Sequence, residues 1–355
     1  MGLRVRMTRG RPPLCIWAAP GTALALAGTA GVLLALLIFP PGAAAQESVG
    51  PLRTSEQNPL YRLLYVPETE PAAPVREGAL RFELSSSYSN ILEASNRASH
   101  AHLFDLEQMT NSLAVRYGWT DALEVGARMG LYTGWGGFLD PFISGFHNFF
   151  RLPNGGRGQR PDGAYVLLLE HDELEGGRFE FDPGERILSL EDFRVFAKWR
   201  LRGRSGDGSL LSLRAGLRRS AGPVAAGRID GAVSVHGRLS RGVVVLHGSG
   251  GLALTDPPPK LEPLVSPQAV FASGTLEYRR WSAVSAMVQV RGSTSYVRGF
   301  TGGELKGFPL NIAFGLGGTR AGGWGWQVSF SEDLIPSGPA IDFTVDAEVS
   351  REVGP

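Results

Sequence analysis

Cysteine is almost missing from this chain. The single one, Cys15, lies ahead of a long apolar run, and no other follows in 355 residues. That excludes a disulfide-stapled fold and any thiol or zinc-thiolate chemistry in the rest of the chain. Long apolar runs are scarce too. After the one that ends at Phe39, no stretch of 18 apolar residues occurs, so a bundle of membrane-spanning helices is excluded. Charge of one sign is also missing: Lys+Arg number 35 and Asp+Glu 34. Without a basic excess the chain carries no electrostatic footprint for nucleic acid. No metal-ligand or cofactor motif survives inspection, so neither a metal nor a cofactor is expected.

What is present begins with an export signal. Arg4, Arg6, Arg9 and Arg11 precede the apolar run, and Pro40-Pro41-Gly42-Ala43-Ala44-Ala45 follows it. This is the basic, apolar and small-residue order of a secretory signal, so residues 1–45 are expected to be cut off. The alternative is an uncleaved anchor, since Ala23–Phe39 is nearly long enough to span a bilayer. Without its four arginines the mature chain has 31 Lys+Arg against 34 Asp+Glu, a net charge of about −3. Residues 46–78 are polar and dotted with Pro51, Pro59, Pro67, Pro71 and Pro74. They read as an irregular periplasmic segment, whose Leu60–Val66 stretch would pack inside or under the domain that follows.

From residue 79 the pattern is strict alternation. Leu80, Phe82 and Leu84 alternate with Arg81, Glu83 and Ser85, and Leu123, Val125, Ala127, Met129 and Leu131 with Glu124, Gly126, Arg128 and Gly130. Phe193–Arg202, Leu211–Arg218 and further runs to Val349 do the same. Apolar-on-one-side runs of about ten residues after a signal peptide indicate an all-β, antiparallel transmembrane barrel. A soluble sandwich also alternates, but on strands of five or six residues. Connections alternate in length. Gly118–Ala122, Gly203–Gly208, Leu239–Gly242, Tyr278–Trp281 and Gly318–Gly322 are short; Asn90–Phe104, Thr133–Leu190, Ser220–Ile229, Thr255–Pro267, Ser293–Gly307 and Glu332–Ala340 are long. Short periplasmic turns and long outer loops then give about twelve strands over 79–355, with both termini in the periplasm. A thirteenth spanning strand at Tyr165–Glu170 would break the even parity. It is therefore expected in the 133–190 outer loop, in a hairpin with Arg178–Asp182. Trp119, Trp199, Trp281, Trp324 and Trp326 all lie near short turns, where a periplasmic girdle of indoles belongs.

One helix interrupts the strands. Asp140 is a good N-cap and Pro141 a good first residue. Phe142, Phe146, Phe149 and Phe150 then recur on one face of a helix over 141–151, with Phe138 before it and His147 within it. Its apolar face is expected to fold into the barrel mouth as a constriction; the rim and the outer-leaflet interface are the alternatives.

Gln57-Asn58-Pro59-Leu60, Tyr117-Gly118-Trp119-Thr120, Ser331-Glu332-Asp333-Leu334 and above all Gly136-Gly137-Phe138-Leu139-Asp140 with Phe146-His147-Asn148-Phe149-Phe150-Arg151-Leu152-Pro153 carry a resemblance. On these motifs the chain resembles the domain of unknown function 3187 family of uncharacterised bacterial proteins. The resemblance implies an outer-membrane β-barrel and no established activity, so it supplies no site residues.

Chemistry is sparse. Arg194, Lys198, Arg200, Arg214, Arg218 and Arg238 are expected to line the lumen on three successive strands, with Arg128 nearby. Glu83, Glu124, Asp346 and Glu348 are expected to face them, mostly from the first and last strands. A basic and an acidic wall set up a transverse field that selects ions; pairing into a filled lumen is the alternative. His247 and Ser249 share a strand face, as in outer-membrane phospholipase A, but no third group is at hand to orient the base, so a filled strand position is the better reading. Gly248-Ser249-Gly250-Gly251-Leu252-Ala253 mimics a dinucleotide fingerprint inside a strand with no helix after it, and is set aside. The expected function is a passive pore or substrate-specific channel of the outer membrane, not an enzyme. Alternatives are a closed barrel that binds a surface ligand or lipopolysaccharide, and a barrel esterase. Expected partners are outer-membrane lipid and lipopolysaccharide, the barrel-assembly machinery and small solutes, with no nucleic acid.

Overall fold

The structure is a computed structural model. It describes residues 48–96, 100–150, 163–181, 187–204, 208–222, 227–281, 284–300, 305, 307–334, 341 and 343–354, without the side chains at 142, 146, 147 and 150. The expected signal sequence lies outside them.

Among the described residues fourteen strands form one antiparallel sheet. In chain order they are β1 (Leu80–Asn96), β2 (His100–Thr120), β3 (Leu123–Trp135), β4 (Val166–His171), β5 (Arg178–Phe181), β6 (Ile187–Arg202), β7 (Ser209–Ser220) and β8 (Ile229–Arg241). Then come β9 (Val244–Leu254), β10 (Gln268–Tyr278), β11 (Ser285–Ser293), β12 (Leu310–Arg320), β13 (Trp324–Asp333) and β14 (Phe343–Val353). Each of the twelve other than β4 and β5 pairs with its two neighbours, β3 directly with β6, and β1 with both β14 and β2. The sheet therefore closes into a twelve-stranded barrel. β4 and β5 form the expected hairpin in the long excursion and attach only to the far end of β2.

Closure removes the sheet edges, and the alternation decides which side faces which medium. Leu84, Leu217, Leu252 and Val349 point outward and are exposed, whereas Glu83, Arg218, Ala253 and Glu348 point inward and are buried. An apolar outside around a polar inside is the reverse of a water-soluble protein and suits hydrocarbon. At the short-turn end Trp119, Trp199, Trp281 and Trp324 are exposed on this outer surface, as an interfacial girdle requires.

The first of the expected long loops is different. Asn90–Phe104 is not a loop, because β1 and β2 stay paired as far as Asn96↔Ala101. β14 leaves β1 at Asn90 and β3 leaves β2 at Glu107, so this hairpin rises beyond the rim, and β4 and β5 widen it into a wall. At 21 residues β2 reaches about 70 Å, more than twice the hydrocarbon thickness. The signal misread as a loop is the polar composition of a strand that has left the membrane.

The larger correction concerns the segment before β1. Of the two places expected for the Leu60–Val66 stretch, inside and under the domain, it takes the inside, and the rest of residues 48–78 goes with it rather than hanging below as a periplasmic segment: they run up one side of the lumen and down the other. Ser48–Pro51 sit at the short-turn end beside Glu277 and Gln327. The chain turns over at a short helix, α1 (Pro59–Arg62), and returns to enter β1 at Gly78 and Ala79, beside Gly118. At Gly118 a Cβ would lie 1.9 Å from the Arg76 carbonyl oxygen, so only glycine lets the returning chain pass this close to β2. Asn58 caps α1 through its side-chain oxygen, which accepts from Leu60 N at 3.1 Å, and Pro59 occupies the first turn.

A closed barrel of this kind resists detergent until heated. The folded protein is expected to migrate differently before and after boiling on a detergent gel; identical migration would exclude the barrel.

Candidate functional site: a plugged lumen

The N-terminal segment forms a two-limbed plug, and its charges complement the walls they face. On the ascending limb Arg53 lies against the acidic wall of β1 and β14, with Nη2 at 2.9 Å from Glu83 and Nε at 3.4 Å from Glu348. On the descending limb Glu68 and Glu70 lie against the basic wall. Glu68 meets Arg194 at 3.0 Å and also Arg128. Glu70 meets Arg116 at 2.5 Å, Lys198 at 3.1 Å and Arg214. Glu124 shares Arg116 at 2.9 Å and Lys198 at 3.5 Å, and accepts from Val75 N. Thr69 ties the limbs together, its hydroxyl donating to the Leu52 carbonyl and accepting from Thr54 N at 3.3 Å.

Nearly all of these groups are out of water: Lys198 is 1% exposed and Glu124 1%. Desolvating a charge costs several kcal/mol, and only close opposite charges with good hydrogen bonds offset it. The network supplies them at nearly every position.

The remaining lumen residues fall as follows. Arg218 bonds Asp230 through Nε at 2.7 Å and donates to the carbonyls of Arg62, Leu63 and Leu64, holding the turn-over of the plug from the wall. Asp346 accepts from Ser87 at 2.5 Å and from Ser329. Arg200 and Arg238 point inward, half-buried, nearer the short-turn end, in register with Ser212 and His247. Two walls of opposite sign are present, and the plug bridges them.

Both ends of the plug are anchored. At the short-turn end Glu277 accepts from the Ser48 hydroxyl at 2.7 Å, Val49 N at 3.0 Å and Gly50 N at 3.2 Å. His247 Nε2 is 2.8 Å from the same carboxylate. Ser249 is engaged elsewhere, 2.7 Å from Ser273, so His247 and Ser249 do not meet. At the other end Asn58 donates to Glu93 at 2.9 Å, and His102 backs that carboxylate at 3.0 Å. Leu60, Tyr61 and Leu64 pack with Ile91, Phe104 and Leu106 of the risen hairpin, Tyr165 and Leu169 of the excursion, and Leu264, Tyr296 and Phe300 of the loops. This apolar cluster caps the mouth.

The phenylalanine helix is not that cap. α2 (Asp140–Phe150) starts on the outer surface of the wall. Glu107, which faces outward, accepts from Phe138 N at 3.0 Å and Leu139 N at 2.7 Å, and Gly137 lies so close that a Cβ there would clash with it. The Phe138 ring is 6.3 Å from Tyr88, in an outward aromatic group with Trp135 and Phe343. Phe138 and Phe149 are exposed. The expected constriction at the mouth is therefore replaced at this end by an attachment on the outside of the barrel. Ile143 N donates to the Leu139 carbonyl, so the helix starts one residue earlier than expected, with Asp140 in its first turn, and the Asp140 carboxylate accepts from Gly163 N at 3.1 Å. The side chains of Phe142, Phe146, His147 and Phe150 lie outside the described residues.

Sequence reasoning missed Arg53, Glu68, Glu70 and Glu277. The available signal was Pro67-Glu68-Thr69-Glu70-Pro71: two acids held extended between prolines, directly ahead of a barrel with an arginine-rich inner face.

The family model "Protein of unknown function (DUF3187)" matches residues 32–348. The chain belongs to this family. Among solved structures it is similar to the COG4313 outer membrane channel from Pseudomonas putida F1, at 11% identity over 81% of this chain and 100% of that one, with a TM-score of 0.52. It is more distantly similar to the NanC porin (9% identity, 77% of this chain and 100% of that one, TM-score 0.42) and to the KdgM porin in complex with disordered oligogalacturonate (6%, 78% and 98%, 0.38). A comparison with the curated proteins finds no match. In this DUF3187 protein the motif Gln57-Asn58-Pro59-Leu60 is the tip of the plug, and Gly118 of Tyr117-Gly118-Trp119-Thr120 is the point where the returning limb passes the wall.

Glu70 holds the network together, so its loss should be expensive. Glu70→Ala leaves Arg116, Lys198 and Arg214 facing one another and is expected to lower stability by about 3–5 kcal/mol, measured by urea unfolding in detergent. A change under about 1 kcal/mol, the scale of an exposed pair, would show that water already screens these charges.

Proposed function

We propose that this protein is a non-catalytic outer-membrane channel, gated by displacement of its N-terminal plug. Short turns and both chain ends face the periplasm, and the risen hairpin and long loops face outward. The observation that carries the reading is the chemistry of the lumen contact. A barrel filled only for strength would be expected to use packed apolar side chains, because a buried ion-pair network adds little net stability over them. Here the middle of the plug meets the wall through ion pairs and hydrogen bonds, which water and solutes can replace one by one. The largest apolar cluster is at the tip, and the limbs add only two smaller ones, Leu52 with Met287 and Ala313 and Tyr65 with Ala232, Ala253 and Phe271. With the plug in place the barrel is shut; conduction requires at least one limb to leave the wall.

The mouth-capping cluster favours a second reading, a closed barrel whose outer loops and risen hairpin bind a surface ligand or lipopolysaccharide. The two readings part on whether the plug moves. Leu52 on the ascending limb packs with Met287 of β11 and Ala313 of β12. Leu52→Cys with Ala313→Cys places one thiol on the limb and one on the wall beside it, where disulfide formation can be driven by oxidation and checked by the loss of free thiol, and Cys15 is the chain's only native cysteine. In planar bilayers the oxidised variant is expected to lose the conductance that the reduced variant and the wild type show. Equal conductance in both redox states would refute gating by this limb, and silence in all three would favour the closed barrel.

A further inference from the structure

The descending limb lies on the basic wall as a bound anion would. Arg128 and Arg194 close on Glu68, and Arg116, Lys198 and Arg214 close on Glu70. Three wall carboxylates share these five cations: Glu83 and Glu124 at Arg116, Glu124 again at Lys198, and Asp192 at Arg194. Five cations against three carboxylates leave two positive charges, and the two plug carboxylates are their counter-ions. Of the other acids close by, Glu348 is taken by Arg53 of the opposite limb and Glu191 by Arg62.

The wall also has donor capacity to spare. Arg214 is 6% exposed, and its Nη1 meets no acceptor among the described residues. Its guanidinium lies 4.5 Å over the Phe196 ring, and that of Arg116 lies 4.7 Å over the same ring. Phe196 thus backs both arginines and holds them facing the lumen. Small voids flank the limb, one bounded by Tyr65, Glu70, Arg116, Phe196 and Arg214, the other by Glu68, Arg128, Arg194 and Arg218.

We propose that this wall is an anion-binding site for a small solute with two anionic groups, and that Glu68 and Glu70 are its built-in stand-ins. The proposal rests on the channel reading, since the lumen is the route by which such a solute arrives. Residues two apart on an extended chain are about 6–7 Å apart and face the same way. The matching solute is a short linear molecule carrying carboxylate or phosphate at each end. It exchanges charge for charge with the limb, so the cations never lose their counter-ions and the wall never has to be stripped bare. A cationic solute finds no such vacancy here, because every acid of this wall is committed to an arginine or lysine.

The test uses the full chain, folded in detergent and titrated calorimetrically with sodium adipate and with sodium butane-1,4-diylbisphosphonate, both long enough to span the two positions, and with sodium chloride as control. Glu68→Gln/Glu70→Gln removes the stand-ins and keeps their shape. It is expected to bind one of the dianions at least about tenfold more tightly than wild type, a difference of 1.4 kcal/mol; adding Arg214→Gln removes the gain. Preference for adipate assigns a carboxylate solute, and preference for the bisphosphonate a phosphate-like one. Glu68→Gln alone, which frees only Arg128 and Arg194, is expected to show a smaller gain in the same direction, and it decides the matter if the double variant does not fold. Affinities equal to wild type for both dianions in the folded variants overturn the proposal. Bilayer recordings separate it from the channel reading: dianion binding without conductance keeps the site and removes the channel, whereas conductance without any gain in dianion binding does the reverse.

Discussion

The arrangement depends on one buried carboxylate. Glu70 is almost wholly withdrawn from water and held among Arg116, Lys198 and Arg214, which come from β2, β6 and β7. None of the four charges is tolerable there alone, since an unpaired buried ion costs several kcal/mol. Together they fix the descending limb against three strands. They also set which residues those strands can place inward, because each wall cation must reach either the plug or a wall acid. The barrel makes the lumen, but the plug decides that the lumen can be so highly charged and still closed.

The same constraint explains the division of labour along the plug. Its middle is charged because it faces strands whose outer side is in hydrocarbon, and in a narrow barrel the alternate residues on such strands are the ones free to be polar. Its tip is apolar because it has passed the level at which the barrel strands end. There it meets Phe104 and Leu106 of the risen hairpin and loop residues such as Tyr296 and Leu264, a core of the ordinary soluble kind. The plug is therefore held mainly by charge and hydrogen bonding at its middle and by apolar packing at its tip, with Leu52 and Tyr65 adding smaller apolar contacts to the wall.

Period-two alternation, turn spacing and strand parity made the twelve-stranded wall legible, including the place of Val166–His171 outside it. They made the inward basic residues legible too, since a residue's facing follows directly from its parity within a strand. What they could not show is what those residues touch. The plug has no periodicity, its prolines suppress any strand or helix signal, and a single Glu-Thr-Glu reads as solvated loop until the wall opposite is known. The risen part of β1 was hidden for a related reason: Asn90, Glu93 and Asn96 carry no lipid-facing signal because no lipid is there. The phenylalanine helix was found but misplaced. Four phenylalanines on one face call for an apolar surround without saying which, and Glu107, whose carboxylate fixes the start of that helix on the outer wall, looks in the sequence like any exposed strand acid.

The plug also bears on the mechanics of the barrel. A continuous line of polar contacts runs across the bore, from Glu83 and Glu348 on one side through Arg53, Leu52, Thr69 and Glu70 to Lys198 and Arg214 on the other. An empty twelve-stranded tube can flatten towards an ellipse under the lateral pressure of the bilayer with little loss of strand pairing. A tie rod pinned to strands three to five places apart in the twelve-stranded ring resists both flattening and widening along that chord. The cross-section of this barrel is thus set from within, and any movement that frees the rod also releases the roundness of the wall.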